Sequence, residues 1–257
     1  MTEATLDSPR PPLDLAMASL LRADAVVLLR SKVSTIVSIL VPVVILVATS
    51  FGKSQTRLGS PDMIIGLALT LGLITSSLLG YSLTLAHDRD TGVFQRLRVT
   101  PAPTWMIMTS RLSVQAAANL VGSVIVVNVG AILHGLTLSV GQYLLVFAVS
   151  VLGGAVFLAI GQALAAVVKS TNAVNAVSRI LFIILVLLGL LGGTGLLGDT
   201  IKSISGWSPV GALMTLFSDV LSHSPWLDQD TYSVLACVGY IVVFAFVGIR
   251  WFRWDTR

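Results

Sequence analysis

Apolar residues run along this chain in long blocks separated by short polar joints, a pattern that predicts a series of membrane-crossing helices. A helix spans the roughly 30 Å hydrocarbon core with about 20 apolar residues. Six blocks approach or exceed that length: residues 33–51, 63–86, 106–133, 140–168, 173–191 and 232–249. Between Arg111 and Lys169, 57 consecutive residues contain no Lys, Arg, Asp or Glu, which is room for two crossings and a short turn. Pro42, near the middle of the first block, predicts a kink. The third and fourth blocks are longer than a minimal span and predict tilt or a cytoplasmic extension. Glycines in the second block (Gly66, Gly72, Gly80) and the fourth (Gly153, Gly154, Gly161) predict close helix approach.

The joints carry the remaining organisation. Residues 1–12, with Glu3, Asp7, Pro11 and Pro12, lack the basic start and apolar core of a signal peptide and are expected to be a flexible cytoplasmic tail. Residues 13–32 form helix but are interrupted by Asp14, Arg22, Asp24 and Arg30. With Leu20, Leu21, Val27, Leu28 and Leu29 on one broad side, this segment reads as an amphipathic helix on the membrane surface, Arg22 and Arg30 reaching the headgroups. Residues 200–224 are apolar but broken by Gly206 and Pro209, and fit one or two re-entrant or interfacial half-helices. Arg250 to Trp254 close the last block as an aromatic and basic anchor. The expected fold is thus all-α and polytopic. Six transmembrane helices form one domain over residues 33–254, with an interfacial helix before it, a cytoplasmic helix within 87–103 and half-helices ahead of the last span.

Composition narrows the function. The 257 residues are 55% hydrophobic and 11% charged, with a mean hydropathy of +0.91, values that exclude an ordinary soluble domain. The polar stretches are too short for an ATPase and no GxxxxGK[ST] loop occurs, so energy for active transport would come from a partner or an ion gradient. Cys237 is the only cysteine, and His87, His134 and His223 have no metal-ligand spacing, so neither a disulfide nor a metal site is expected. The net charge of +4 is spread over the joints, which suits lipid headgroups rather than nucleic acid. With both termini in the cytoplasm, twelve of the 16 Lys and Arg lie on that side. Lys53, Arg57 and Lys202 lie outside, and Arg179 falls within the fifth block. That imbalance predicts the orientation.

No nucleophile stands beside a base in this sequence, and no catalytic residue is expected. Residues 87–103, HDRDTGVFQRLRVTPAP, are the most charged internal segment. Asp90, Thr91 and Gly92 can open a short helix that Pro101 and Pro103 stop, with Phe94, Leu97 and Val99 apolar among Arg96 and Arg98. Two readings stand at this point: a helix that docks a soluble subunit, or a cytosolic loop tethered to headgroups. Arg179 likewise either snorkels or pairs, or else faces a wet pathway where it could meet an anionic group. Asn119, Asn128, Gln162 and Asn175 are intramembrane polar residues suited to helix–helix hydrogen bonds or to lining a cavity.

The segment HDRDTGVFQRLRVTPAPTWMIMTSRL resembles the cytoplasmic loop of ABC type-2 exporter permeases, in which an acidic, Gly-containing element leads to an Arg-Leu pair and a Thr/Ser-Pro before the third span. The upstream LLRSKVSTIVSILVPVVILV resembles the interfacial helix and first crossing of that family, and WSPVGALMTLFSDVL its segment before the last helix. The resemblance covers nearly the whole chain and favours the docking reading. Carried over, it makes Asp88, Asp90, Gly92, Gln95, Arg96, Leu97 and Pro101 the element that couples to an ATPase. Asp88 and Asp90 stand where the family commonly has Glu, and His87 is a further departure. The resemblance implies a plasma-membrane permease that is not itself an enzyme, with two cytosolic ATPase subunits that bind ATP and Mg as separate chains. It implies a second permease subunit, expected to be a copy of this one, and no cofactor on this chain. Drug exporters of the daunorubicin-resistance type are the members it looks most like, which points to amphipathic drug, lipid-like or glycolipid cargo. Lipid-linked polysaccharide export, or a membrane scaffold recruiting a cytosolic protein, are the alternatives.

Overall fold

The structure is a computed structural model that describes residues 13–30, 32–51, 60–98, 103–193 and 199–251. Among these residues every regular element is a helix. In chain order they are α1 (Leu13–Arg30) and α2 (Lys32–Phe51), α3 (Pro61–Asp90) and α4 (Val93–Arg98), then α5 (Thr104–His134), α6 (Val140–Val167) and α7 (Thr171–Gly193). A short pair, α8 (Asp199–Trp207) and α9 (Pro209–Ser222), precedes α10 (Asp228–Trp251). The expected tail at 1–12, the outer loop at 52–59 and Pro101 lie outside the described residues.

Five of these helices, α3, α5, α6, α7 and α10, are long and apolar enough to cross a membrane. The chain is therefore a polytopic, all-α membrane protein. α2 adds a shorter apolar stretch, Ile36–Phe51. Exposed Ile132, Leu144, Ile183 and Phe246 suit hydrocarbon and would be anomalous in water. α3 is the axis of the bundle, with 72% of its apolar window buried, whereas α7 and α10 bury only 17% of theirs and turn apolar flanks outward. The core lies between α3, α6 and α9, where Ile64, Leu69, Leu73, Phe157, Leu213 and Phe217 are all buried.

Local chemistry sets the ends. Ser139 and Gln142 form a reciprocal capping box at the start of α6, through Ser139 N to Gln142 Oε1 (2.8 Å) and Gln142 N to Ser139 Oγ (3.3 Å). Pro209 occupies the first turn of α9, and Ser208 Oγ accepts from Gly211 N at 3.0 Å. Small residues then decide how closely helices meet. A Cβ on Gly66 would lie 3.2 Å from Phe217 Cβ, so α9 seats directly on α3. Pro42 packs against Gly72, where an added Cβ would lie 3.3 Å from the proline Cγ.

α3 holds two features absent from the apolar pattern. Residues Thr75–Tyr81 are wound as a π-helix, a wider turn often found where a helix serves function. α6 crosses it at Gly161, where a Cβ would stand 2.7 Å from Ser77 O. The helix also continues to Asp90, beyond the span ending expected at residue 86. At 30 residues it is about 45 Å long, so a turn or more projects past a roughly 30 Å hydrocarbon core. No Gly or Pro interrupts residues 86–91, and the charges at 88–90 each find a partner.

Candidate functional site

The joint between α3 and α5 folds as a helix end, a tight reversal and a second short helix. Thr91 N donates to His87 O (2.9 Å) and Gly92 N to Arg89 O (3.1 Å). Gly92 has φ +73°, a left-handed conformation that glycine adopts without the Cβ penalty. α4 begins at the next residue, and Arg96 N donates back to Gly92 O at 3.2 Å. Phe94 is the anchor of α4, buried with Tyr81, Leu85, Leu158 and Ala165 in a small cluster of its own. Gln95 and Arg96 lie on its exposed side. Of Leu97 only the helical backbone is described.

The charged residues before the reversal tie this joint to the rest of the bundle. Buried Arg89 donates from Nη1 to Ala165 O at 2.5 Å, near the carbonyl end of α6. Its neighbour Asp90 accepts at Oδ2 from Thr171 N (2.9 Å) and Thr171 Oγ1 (2.6 Å), at the amide end of α7. A cation on a helix C-terminus and an anion on a helix N-terminus are each favoured by the backbone dipoles. Adjacent residues, joined by Arg89 Nε to Asp90 Oδ1 at 3.4 Å, thus cap both sides of the α6–α7 turn. Asp88 turns to the opposite side and pairs with Arg111 Nη1 of α5. Arg111 Nε also lies 3.9 Å from Asp24 Oδ1 of α1, and Ser110 Oγ donates to Asp24 Oδ2 at 2.5 Å. The Arg111 guanidinium carbon sits 4.8 Å from the Phe94 ring centre, a cation–π contact.

Of the residues expected to couple to an ATPase, Asp88 is half-buried against Arg111, Asp90 is exposed but held by Thr171, Gly92 makes the reversal, and Gln95 and Arg96 face out. The sequence reading did not select Asp24, Arg89, Arg111 or Phe94. Their signals were faint: one acid in the surface helix, and one base at the edge of the 57-residue uncharged run. Asp24 packs against α5, so the charges of α1 do not all serve headgroups.

The intramembrane polar residues separate into distinct settings. Asn119 is buried and donates from Nδ2 to Ser77 Oγ (2.8 Å), while Gln115 Nε2 donates to Ser76 Oγ at 2.7 Å. Asn119, Gln115 and Ser76, with Asp24, Asp88, Arg111 and Tyr81, line a partly polar cavity of about 110 Å³ between α1, α2, α3 and α5. Asn128 donates to Val124 O (2.7 Å) and accepts from Tyr143 OH (3.1 Å), a helix–helix contact. Asn175 is half-buried and offers its backbone carbonyl to Ser178 Oγ at 3.2 Å. Gln162 lies against Gly248 of α10. Arg179 is exposed on α7 and has no ion pair among the described residues.

At the other end of the bundle three carboxylates converge from three elements. Ser218 Oγ donates to Asp62 Oδ2 at 2.7 Å, bringing α9 to the start of α3. Asp230 is 2% exposed. Its Oδ2 accepts from Leu227 N at 2.8 Å, while its Oδ1 meets no donor. Burial and the negative charge of the neighbouring Asp230 and Asp62 carboxylates push the Asp219 carboxyl up to about 6. Beside it Gln142 Nε2 reaches Val220 O (3.1 Å), Leu221 O (3.0 Å) and His223 Nδ1 (2.8 Å), fastening the end of α9 to α6.

With this geometry in place, comparison with known proteins adds one finding. The model of a family described as ABC-2 type transporter matches residues 16–221, from within α1 to the last turn of α9. No curated protein matches the chain.

Proposed function

The chain belongs to the ABC-2 type transporter family, and on that premise we propose that it is the membrane-spanning permease of an ATP-driven exporter, docked to separate ATPase subunits through α4. The observation that carries this reading is the way α4 is held. One residue, Phe94, sinks into the bundle, while Gln95 and Arg96 face outward. The residues just before it are fastened to α6 and α7 through Arg89 and Asp90, and to α5 and α1 through Asp88 and Arg111. A push on α4 therefore reaches five helices at once, including the α3 from which it hangs. Coupling needs such a stiff lever, because packed helices shift between discrete arrangements rather than deforming continuously.

In this reading two cytosolic ATPase subunits close on ATP and Mg and draw together the α4 helices of two permease subunits, the second a copy of this chain. α2 completes a set of six crossings in the plasma membrane, both termini are cytoplasmic, and α8 and α9 re-enter from the outer side. The excess of Lys and Arg at the α4 end supports that orientation. The cargo is an amphipathic drug, lipid-like molecule or glycolipid, a class supported by the mostly apolar surfaces that the helices present. No covalent chemistry falls to this chain. The test is ATP hydrolysis by the reconstituted complex. Arg96→Glu should abolish stimulation by the permease while leaving its folding intact, and unchanged stimulation would refute docking through α4.

A further inference from the structure

A second opening in the bundle is of a different kind from the polar cavity behind α4. A cleft of about 800 Å³ lies between α5, α6 and α10, within the size range of small-molecule sites. Its walls are mostly apolar, with Thr109, Ser113 and Asn119 as polar groups on α5, and no charged residue lines it. Exposed Trp105 and Ile249, at the α4 end of the bundle, mark its mouth. Two polar groups on α6 face it without partners. Ser150 is 1% exposed, and its Oγ has no hydrogen-bond partner. The Gln162 amide has none among the described residues. A serine in a helix ordinarily returns its hydroxyl to a carbonyl one turn back, so an idle buried Oγ at a cleft wall is conspicuous. An unmade hydrogen bond away from water is destabilising, and a bound molecule would remove that cost.

We propose that this cleft binds an elongated, uncharged amphiphile with a hydrogen-bonding group at each end, taken up sideways from the bilayer. Ser150 and Gln162 are twelve residues apart on one helix, or about 18 Å along its axis, which sets the length of the ligand. The small side chains Ala155 and Ala245, on facing walls, leave the width for a chain-like body. The absence of charge from the lining excludes an ionised group at depth, where none could be paired. On the orientation proposed above, the mouth opens in the cytoplasmic leaflet. Binding itself does not depend on that orientation or on coupling to an ATPase.

The probe is a photoreactive long-chain α,ω-diol carrying a mid-chain diazirine, applied to the full chain in nanodiscs and mapped by peptide mass spectrometry. Labelling is expected on the α5, α6 and α10 segments around Leu112, Ala155 and Ala245, and should be displaced by the unlabelled diol but not by a fatty acid of the same length. Ala155→Phe and Ala245→Phe, which fill the cleft from opposite walls, should each lower labelling more than tenfold. Ser150→Ala should weaken binding about fivefold, the loss of one hydrogen bond. Labelling spread evenly over the outward faces of α7 and α10, or insensitive to both filling variants, would overturn the proposal. So would a cleft that labels in nanodiscs but is blocked by another protein in native membranes. Should the filling variants fail to fold, Ser150→Ala and the competition by unlabelled diol still decide. No step needs nucleotide, so loss of export with intact labelling would count against the transport reading alone.

Discussion

Replacing Arg111 with Met probes the lever at its centre. The guanidinium stands between the carboxylates of Asp88 and Asp24, with side-chain exposures of 14% for Arg111, 17% for Asp88 and 20% for Asp24. Methionine keeps most of the volume but leaves two negative charges side by side and removes the contact over Phe94. An exposed ion pair contributes at most about 1 kcal/mol, whereas removing one partner of a buried pair costs about 3–5 kcal/mol. The partial exposure here places the electrostatic loss at about 2–3 kcal/mol, and the cation–π contact adds roughly 0.5–1 kcal/mol. Arg111→Met should therefore lower stability by about 3 kcal/mol. Reversible unfolding by SDS in mixed micelles, followed by circular dichroism, gives the number. Adding Asp88→Asn removes one of the stranded charges, so the double variant should be more stable than the sum of the single losses by about 1–2 kcal/mol. Additive losses, within about 0.5 kcal/mol, would refute the idea that Asp88 and Arg111 act as a pair.

Three further outcomes follow from particular contacts. Gly161→Ala places a Cβ 2.7 Å from Ser77 O, a backbone atom of the π turn, and should cost about 1–3 kcal/mol. Gly239→Ala, with nothing within 4 Å, should be neutral or stabilise by a few tenths of a kcal/mol, and the same SDS titration compares the two. Thr171→Ala removes one of the two donors to Asp90 Oδ2 and should lower stability by about 1 kcal/mol, with faster hydrogen exchange confined to the first turn of α7. Asp219 faces Asp230 and Asp62, with His223 nearby through Gln142. Its carboxyl, raised to about 6, binds its proton more tightly in the folded chain than in the unfolded one. The resulting stabilisation is complete below the ordinary carboxyl value near 4 and is lost as pH rises through about 6. Hydrogen exchange in α9, corrected for intrinsic rates, should be better protected at about pH 5 than at about pH 7.5, and Asp219→Asn should erase the difference.

What the sequence made legible was the part written in runs of one character. Apolar blocks marked the long helices because a bilayer demands about 20 such residues in a row. The end of α3 was harder. His87, Asp88, Arg89 and Asp90 look like a loop because four polar residues in a row normally seek water. They stay helical because Arg89 meets a carbonyl of α6 and Asp90 the amide end of α7, partners 76 and 81 residues away. Arg111 and Asp24 were hidden for the same reason: each is a solitary charge whose meaning lies in a contact 87 residues along the chain. The π turn has no sequence signature of its own, and its place emerges only where Gly161 lets α6 reach Ser77. Among the site residues, the family pattern drew attention to residues 87–103 but gave Asp88 and Asp90 no partners, and in the folded chain Asp88 meets Arg111 of α5 while Asp90 holds the first turn of α7.

The most direct test places a cysteine on the outward side of α4. Gln95→Cys, in a Cys237→Ser background, should cross-link in native membranes to an ATP-hydrolysing subunit, identified by mass spectrometry. Trapping that subunit with ATP and vanadate should change the yield. A Gln95→Cys chain that is folded and inserted, yet yields no cross-link to any ATPase in either state, would contradict the assignment of α4 as the docking lever.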